Sequence, residues 1–125
     1  ADGVEQAPPS RDVIVVPVSA AEARNLRYNA WSVQRRRIVE QKGEGQIGYV
    51  HLRNMGGDEI GRWAKGFFPV FQRQGLIIDV RRNTGGNIDS WILGQLLRQA
   101  SMFWNARVGR ANPWNMQYAF RGHMV

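Results

Sequence analysis

The pattern of apolar and polar positions alternates between short strand-like runs and longer helical stripes. Leu76 to Val80 is a short apolar run with the length and composition of a buried strand. From Ile88 onward, apolar residues recur every three or four positions, as they do on one face of a helix. Between these two elements, Arg81 to Asn87 forms a turn that contains Gly85 and Gly86. Because the first N–H groups of a helix have no internal partner, this arrangement can direct backbone donors at a negative group.

The first part of the chain also follows this alternation. A β-branched run predicts a strand over residues 12–18, and the next apolar stripe predicts a helix from Ala20 to about Gln41. Ser19 and Glu22 have the spacing of a capping box at the start of that helix. The helical stripe that we expect to face inward consists of Ala23, Leu26, Ala30, Val33 and Arg37.

The remaining elements predict an α/β fold. A second strand is expected over 46–52, followed by a helix over 58–74 that Pro69 should kink or divide. Further along, the pattern predicts a short strand over 101–107, a loop over 108–117 and a last strand over 118–125. Strands that alternate with helices indicate parallel pairing, and sites in such sheets lie beyond the carboxyl ends of the strands. The turn Arg81–Asn87 lies at such an end.

Length and charge restrict the class of protein. The chain has 125 residues, which corresponds to about one domain, and its formal net charge is +7. The positive residues are scattered, and Arg35–Arg37 is the only run of three. Such a run on a helix is typical of a solvated face, so no nucleic-acid partner is predicted.

Several kinds of chemistry are excluded by composition. The chain contains no cysteine and only two histidines, so neither a disulfide, a thiolate nucleophile nor a metal centre is predicted, and no cofactor is expected. No apolar stretch approaches the ~20 residues of a membrane helix, so no membrane partner is expected. The absence of cysteine is compatible with either a cytoplasmic or a periplasmic location.

No complete catalytic group is apparent from the residues alone. Ser90, His51 and Asp79 form a triad on paper, but no Gly-x-Ser-x-Gly elbow surrounds a serine. His51 alternates with apolar neighbours, which favours a half-buried strand residue, and Asp79 beside Arg81 favours an ion pair or turn acceptor. The glycine spacings of dinucleotide-binding and P-loop motifs are missing. The glycine turn is therefore either an anion cradle or a tight strand-to-helix connection.

Two segments resemble the tricorn-type branch of the tail-specific (C-terminal-processing) serine peptidases. They are GQIGYVHLRNMGGDEI, at residues 45–60, and GLIIDVRRNTGG, at residues 75–86. The resemblance implies a crotonase-like α/β partial core in which the N–H of Gly85 or Gly86 contributes to an oxyanion hole. It also leads us to expect that Arg82, Asn83 and Thr84 contact the substrate.

The resemblance also implies a division of the chain. Residues 1–18 would be a tail and the last strand of a PDZ-like module, residues 19–45 a linking helix, and residues 46–125 the N-terminal half of a peptidase core. The family's nucleophilic serine, histidine and assisting acid match no residue here, so we expect a fragment that is inactive alone.

Three partners are expected for such a fragment. They are a peptide or unfolded protein substrate, the remaining half of the peptidase core, and a second copy in a homo-oligomer or swapped dimer, because an incomplete sheet leaves an open edge. The alternative interpretation is a non-catalytic domain that self-associates or binds peptides.

Overall fold

Three helices and five strands make up the structure, which is a computed structural model that describes residues 12–109 and 114–125. The helices are α1 (Ala20–Lys42), α2 (Glu59–Phe67) and α3 (Asp89–Leu96). The strands are β1 (Ile47–His51), β2 (Gly75–Asp79), β3 (Phe103–Trp104), β4 (Trp114–Asn115) and β5 (His123–Met124). The fold is therefore α/β, as the sequence predicts.

A parallel sheet lies at the centre, with its strands in the order β1-β2-β5. The register of the first pair runs from Ile47 opposite Gly75 to His51 opposite Asp79. Gly75 also lies opposite His123 of β5. A separate antiparallel ribbon joins β3 and β4. The parallel pairing confirms the prediction and brings the segments that follow β1 and β2 to the same edge of the sheet.

The hydrophobic core lies between the sheet and α2. Trp63 and Phe67 of α2 stack at 5.0 Å between ring centroids, and both are fully buried. Val50 of β1 packs on the same side, where its methyl groups lie about 3.4 Å from the position that a Cβ on Gly66 would occupy. The helix ends at Phe67, before Pro69, so the helix predicted over 58–74 was too long: the proline ends it, and residues 68–74 form turns.

Helix α1 packs on the other face of β1, and its inward face differs from the prediction. Ser19 and Glu22 form the expected capping box. Leu26 and Val33, however, are exposed, whereas Tyr28 and Trp31 approach the ring of His51. The predicted stripe was wrong because α1 runs along β1, and at the carboxyl end of the strand the rings of Tyr28 and Trp31 pack on His51. The apolar stripe remains on the outer side of the helix.

Three boundaries also differ from the predictions. Residues 12–18 form no strand in the structure and are exposed, since a strand requires a neighbour with which to exchange hydrogen bonds. The last strand is limited to His123 and Met124, and β4 occupies part of the predicted 108–117 loop. Residues 1–11 and 110–113 lie outside the described residues. In the described ranges, no helix combines the length and the apolar character required to cross a membrane.

Candidate functional site

The glycine turn after β2 is held against the loop after β1 by a short backbone ladder. Met55 N–H donates to the Gly85 carbonyl at 2.7 Å. The Met55 carbonyl in turn accepts from Asn87 N–H at 2.8 Å and from Ile88 N–H at 3.0 Å. Met55 and Gly86 therefore form an isolated parallel bridge. These backbone hydrogen bonds, together with the burial of Ile88 in the core, fix the start of α3 in position.

Gly86 is required by the close approach of this ladder. A Cβ on Gly86 would lie 2.1 Å from the carbonyl carbon and oxygen of Met55, and its φ is +142°. Both the contact and the backbone conformation exclude an ordinary side chain. Gly85 has a φ of +86°, but a Cβ there would meet nothing within 4 Å. The two glycines thus serve different purposes.

The side chain of Asn83 stabilises the turn by hydrogen bonds to the backbone. Its Nδ2 donates to the Leu52 carbonyl at 2.9 Å, and its Oδ1 accepts from Gly85 N–H at 2.7 Å. Thr84 N–H donates to the Arg53 carbonyl at 3.2 Å. These contacts tie the turn to the end of β1. A contact between the substrate and Asn83 or Thr84 stays a prediction.

The N–H of Gly86 is a free donor next to the backbone ladder. In a parallel ladder, the residue whose two neighbours bond to the partner strand directs its own N–H and C=O to the opposite side. The neighbours of Gly86 bond to Met55, so the Gly86 N–H points away from Met55. It has no hydrogen-bond partner among residues 12–109 and 114–125. The Gly85 N–H, by contrast, is already bonded to Asn83.

Asp79 anchors the start of the turn. Its carboxylate accepts from Tyr49 Oη at 2.6 Å, from Arg81 N–H at 3.0 Å and from Arg81 Nε at 2.9 Å. Hydrogen bonds from the Arg81 guanidinium hold the pKa of Asp79 well below its usual range. Burial, together with the Asp79 carboxylate, raises the pKa of Tyr49 above its usual value. The predicted structural role of Asp79, as an ion pair and turn acceptor, is confirmed.

His51 connects α1 to the same turn. Its Nε2 lies 2.8 Å from the Arg81 carbonyl, which can only accept, so Nε2 carries a proton and donates it. Its Nδ1, 2.8 Å from the Tyr28 hydroxyl, then accepts from that hydroxyl when the ring is neutral. Both ring nitrogens are therefore occupied, and the ring is buried. The structure supports the interpretation of His51 as a structural strand residue.

The triad that can be written from the sequence is not assembled. No hydrogen bond joins any two of Ser90, His51 and Asp79, all of which the structure describes. Ser90 is exposed in the first turn of α3. His51 and Asp79 lie opposite each other in register, but each has other partners.

A basic cavity of about 500 Å³ lies beside the turn, at the carboxyl edge of the sheet. Arginines from three parts of the chain converge on it, and two aromatic rings, a histidine and a threonine complete its wall. The lining residues are Arg24, Arg27, Tyr28, Trp31, His51, Arg53, Arg82 and Thr84. The arrangement can bind an anion next to the turn.

Sequence reasoning did not identify this cavity. Arg24, Arg27, Tyr28 and Trp31 are spaced three, one and three positions apart, which places them on one face of a helix. That spacing was a usable signal. The contributions of Arg53 and Arg82 become visible only once β1 and β2 are paired.

The parallel sheet, with helices on both faces and a strand–glycine turn–helix at its carboxyl edge, defines the class of an α/β protein. The sequence comparison identifies the family. Residues 46–122 match the family model described as Peptidase family S41. This match covers more than half of the chain and includes both β1 and the turn, so the chain belongs to peptidase family S41.

The relatives are tricorn proteases. The chain is 38% identical over 90 residues to "Putative tricorn protease homolog 2" of Streptomyces coelicolor, which covers 72% of the chain and 8% of that protein. It is 34% identical over 91 residues to the tricorn protease of Thermoplasma acidophilum, covering 73% of the chain and 8% of that protein. A crystal structure of the tricorn protease superimposes with a TM-score of 0.71 at 33% identity, over 81% of the chain and 10% of that structure. The chain thus spans about a tenth of the length of these relatives.

Proposed function

We propose that this chain supplies the oxyanion-hole turn and the front half of the catalytic core of a serine peptidase of the tricorn, tail-specific type. Its substrates are peptides or unfolded proteins. The nucleophile comes from a part of the peptidase outside these 125 residues, and the chain alone does not hydrolyse peptides. The observation that carries the proposal is the free N–H of Gly86 within the segment that matches peptidase family S41.

The geometry of the turn suits the stabilisation of an oxyanion. Attack on a peptide carbonyl places negative charge on its oxygen, and a fixed N–H donor lowers the energy of that state. The donor is fixed in two ways, by the backbone ladder to Met55 and by the side chain of Asn83. Because Asn83 already occupies the Gly85 N–H, we assign the oxyanion contact to Gly86.

The serines that the structure describes support an external nucleophile, because none of them is activated by a histidine. A serine nucleophile requires a base within hydrogen-bond reach. In the described ranges, no serine hydroxyl hydrogen-bonds to a histidine, and His51 uses both ring nitrogens elsewhere. The chain's small share of its relatives' length leaves ample sequence for the missing groups.

Labelling with a fluorophosphonate probe tests the missing nucleophile. The folded chain should show no adduct by intact-mass spectrometry and no peptide hydrolysis, while an active serine hydrolase in the same tube is labelled completely. A stoichiometric adduct would mean that a serine in this chain is activated, with Ser90 the first position to map. That result would contradict the proposal.

A backbone substitution tests the oxyanion assignment. In a complete peptidase that contains this segment, semisynthetic replacement of Gly86 by glycolic acid removes the N–H without adding a Cβ. We expect kcat to fall by about 100- to 1,000-fold, as for other oxyanion-hole donors. The matched control is the same replacement at Gly85, which should cost less than about tenfold because its N–H only braces the turn. A larger loss at Gly85 than at Gly86 would refute the assignment.

A further inference from the structure

The basic cavity beside the turn has a composition that selects its ligand. We propose that it is a subsite for an acidic side chain, Asp or Glu, of the peptide substrate. This inference rests on the proposed function, because that function is what brings a peptide to the adjacent turn. It adds a preference for acidic residues near the bound carbonyl.

The charge of the cavity favours a carboxylate. Four of its eight lining residues are arginines, and none is acidic. Arg24, Arg27 and Arg82 are exposed, and none of the three forms a salt bridge within the described ranges. The planar guanidinium fork matches a carboxylate with two parallel hydrogen bonds. Without a bound anion, these like charges repel one another.

The aromatic residues hold two of the guanidinium groups in place. The Arg53 guanidinium carbon lies 4.3 Å from the Tyr28 ring centroid, and Arg53 Nη2 also donates to Asn25 Oδ1 at 2.8 Å. The Arg82 guanidinium carbon lies 5.9 Å from the Trp31 ring centroid. Stacking on a ring restricts the arginine while leaving its N–H edge free to bind. Part of the cavity is thereby organised before a ligand arrives.

The position of the cavity connects it to the peptide. Arg82 and Thr84 line it and belong to the same turn as Gly86. Arg53 follows β1 and lies on the other side of the same edge. The cavity wall at Thr84 therefore lies two residues before Gly86 in the same turn, within reach of one bound peptide. The anion that a bound peptide can place in the cavity is one of its own carboxylates.

Peptide binding to the intact chain tests the subsite without requiring catalysis. The probe is an octapeptide with two adjacent glutamates, an acetylated N-terminus, an amidated C-terminus and a neutral fluorophore, measured by fluorescence anisotropy. The glutamine version of the same peptide is the reference. We expect the glutamate peptide to bind about tenfold more tightly at low salt, and this preference to shrink as salt is added.

Two double variants, each of which loses two positive charges, distinguish binding in the cavity from general electrostatic attraction to a basic protein. Arg24→Gln with Arg27→Gln removes two cavity arginines and should abolish the preference for glutamate. Arg37→Gln with Arg107→Gln removes two exposed arginines outside the cavity and should retain it. Equal binding of the two peptides to the unaltered chain, or an equal loss in both variants, would overturn the proposal.

The outcomes also separate this inference from the proposed function. Equal binding of the glutamate and glutamine peptides by the unaltered chain, with normal hydrolysis by the complete peptidase, would refute the subsite and leave the peptidase function standing. A stoichiometric fluorophosphonate adduct on this chain would refute the proposed division of the active site while leaving the measured preference unaffected.

Discussion

Gly86 meets two structural requirements: it fits where no Cβ can, and it presents a free N–H. The ladder to Met55 leaves no space for a Cβ, and the same ladder turns the Gly86 N–H toward the open side. The sequence alone does not show which of Gly85 and Gly86 contributes its N–H to an oxyanion hole. The structure gives a packing reason for Gly86 and a conformational one for Gly85, and neither is visible until the loop after β1 lies beside the turn.

Alanine substitution should distinguish the two glycines. Gly86→Ala adds a clash with the Met55 backbone to an unfavourable φ, so we expect the free energy of unfolding to fall by about 3–5 kcal/mol. Gly85→Ala has only the unfavourable φ and should cost about 1–2 kcal/mol. Urea denaturation followed by tryptophan fluorescence measures both. Equal losses would show that the ladder does not hold the turn in solution.

The lowered pKa of Asp79 predicts a dependence of stability on pH. Because the folded pKa lies below the unfolded value of about 3.9, the unfolded chain binds more protons in acid, and stability falls as the pH decreases. The stabilisation by Asp79 is fully present above about pH 5 and is lost as the pH falls below 4.

Asp79→Asn should remove that part of the pH dependence. We expect the variant to lose about 1–3 kcal/mol of stability at pH 7, since buried hydrogen bonds to a charged group are lost. The difference from the unaltered chain should narrow between pH 5 and pH 2, measured by urea denaturation at each pH. Asp58→Asn, at an exposed aspartate without a side-chain cap bond, is the control. A difference that stays constant with pH would contradict the linkage.

At the scale of the elements, the sequence predicted the cap of α1 and the two core strands correctly. It did not predict which face of α1 packs against the sheet. The capping box and the two core strands depend on neighbouring residues, and both agree with the sequence. The inward face of α1 depends on what the rest of the fold presents to it. Tyr28 and Trp31 face inward because His51 and the arginines lie there, although the aliphatic stripe appeared the stronger signal.

The capping box makes a measurable contribution to α1. Glu22 N–H donates to Ser19 Oγ at 3.2 Å, and the Ser19 N–H donates to Glu22 at 2.9 Å. Ser19→Ala should lower the free energy of unfolding by about 1 kcal/mol, measured by circular dichroism during urea denaturation. Ser101→Ala, at an exposed position outside the helices, should change it by less than about 0.5 kcal/mol. An equal effect of the two substitutions would contradict the role of the cap.

At the scale of the whole molecule, apolar surface remains uncovered. Residues 13–16 are 64–94% exposed, and the apolar side chains of Leu97, Val108 and Val125 are also exposed. In the described part of the sheet, β1 and β5 are edge strands. Exposed apolar side chains, together with the open edges of the sheet, favour association with a second copy.

Sizing at several concentrations tests this association. We expect the apparent mass to rise from that of a monomer between about 1 and 300 μM in analytical ultracentrifugation. Ile14→Lys should reduce the association by placing a charge in the most exposed apolar segment. Ser101→Lys adds the same charge elsewhere and should not. A chain that stays monomeric over the whole range would count against self-association.

The scattered positive charges of the sequence form a cluster only in the folded molecule. The net charge of +7 does not indicate a ligand by itself, because arginines 24, 53 and 82 are far apart along the chain. Pairing of β1 with β2 and packing of α1 across them bring these residues to one cavity. The family motifs were visible in the sequence, whereas the arginine-lined wall beside them forms only in the folded chain.

The double acceptor at the Met55 carbonyl has a consequence for amide hydrogen exchange. The amides of Met55, Asn87 and Ile88 are all held by the ladder, so their protons should exchange with solvent deuterium slowly and together, at the rate at which the ladder opens. The Gly86 amide lies between them with no partner in the described part of the chain, and it should exchange fastest. A ligand that occupies the turn would slow this one amide, which makes it a local reporter of binding that needs no catalysis.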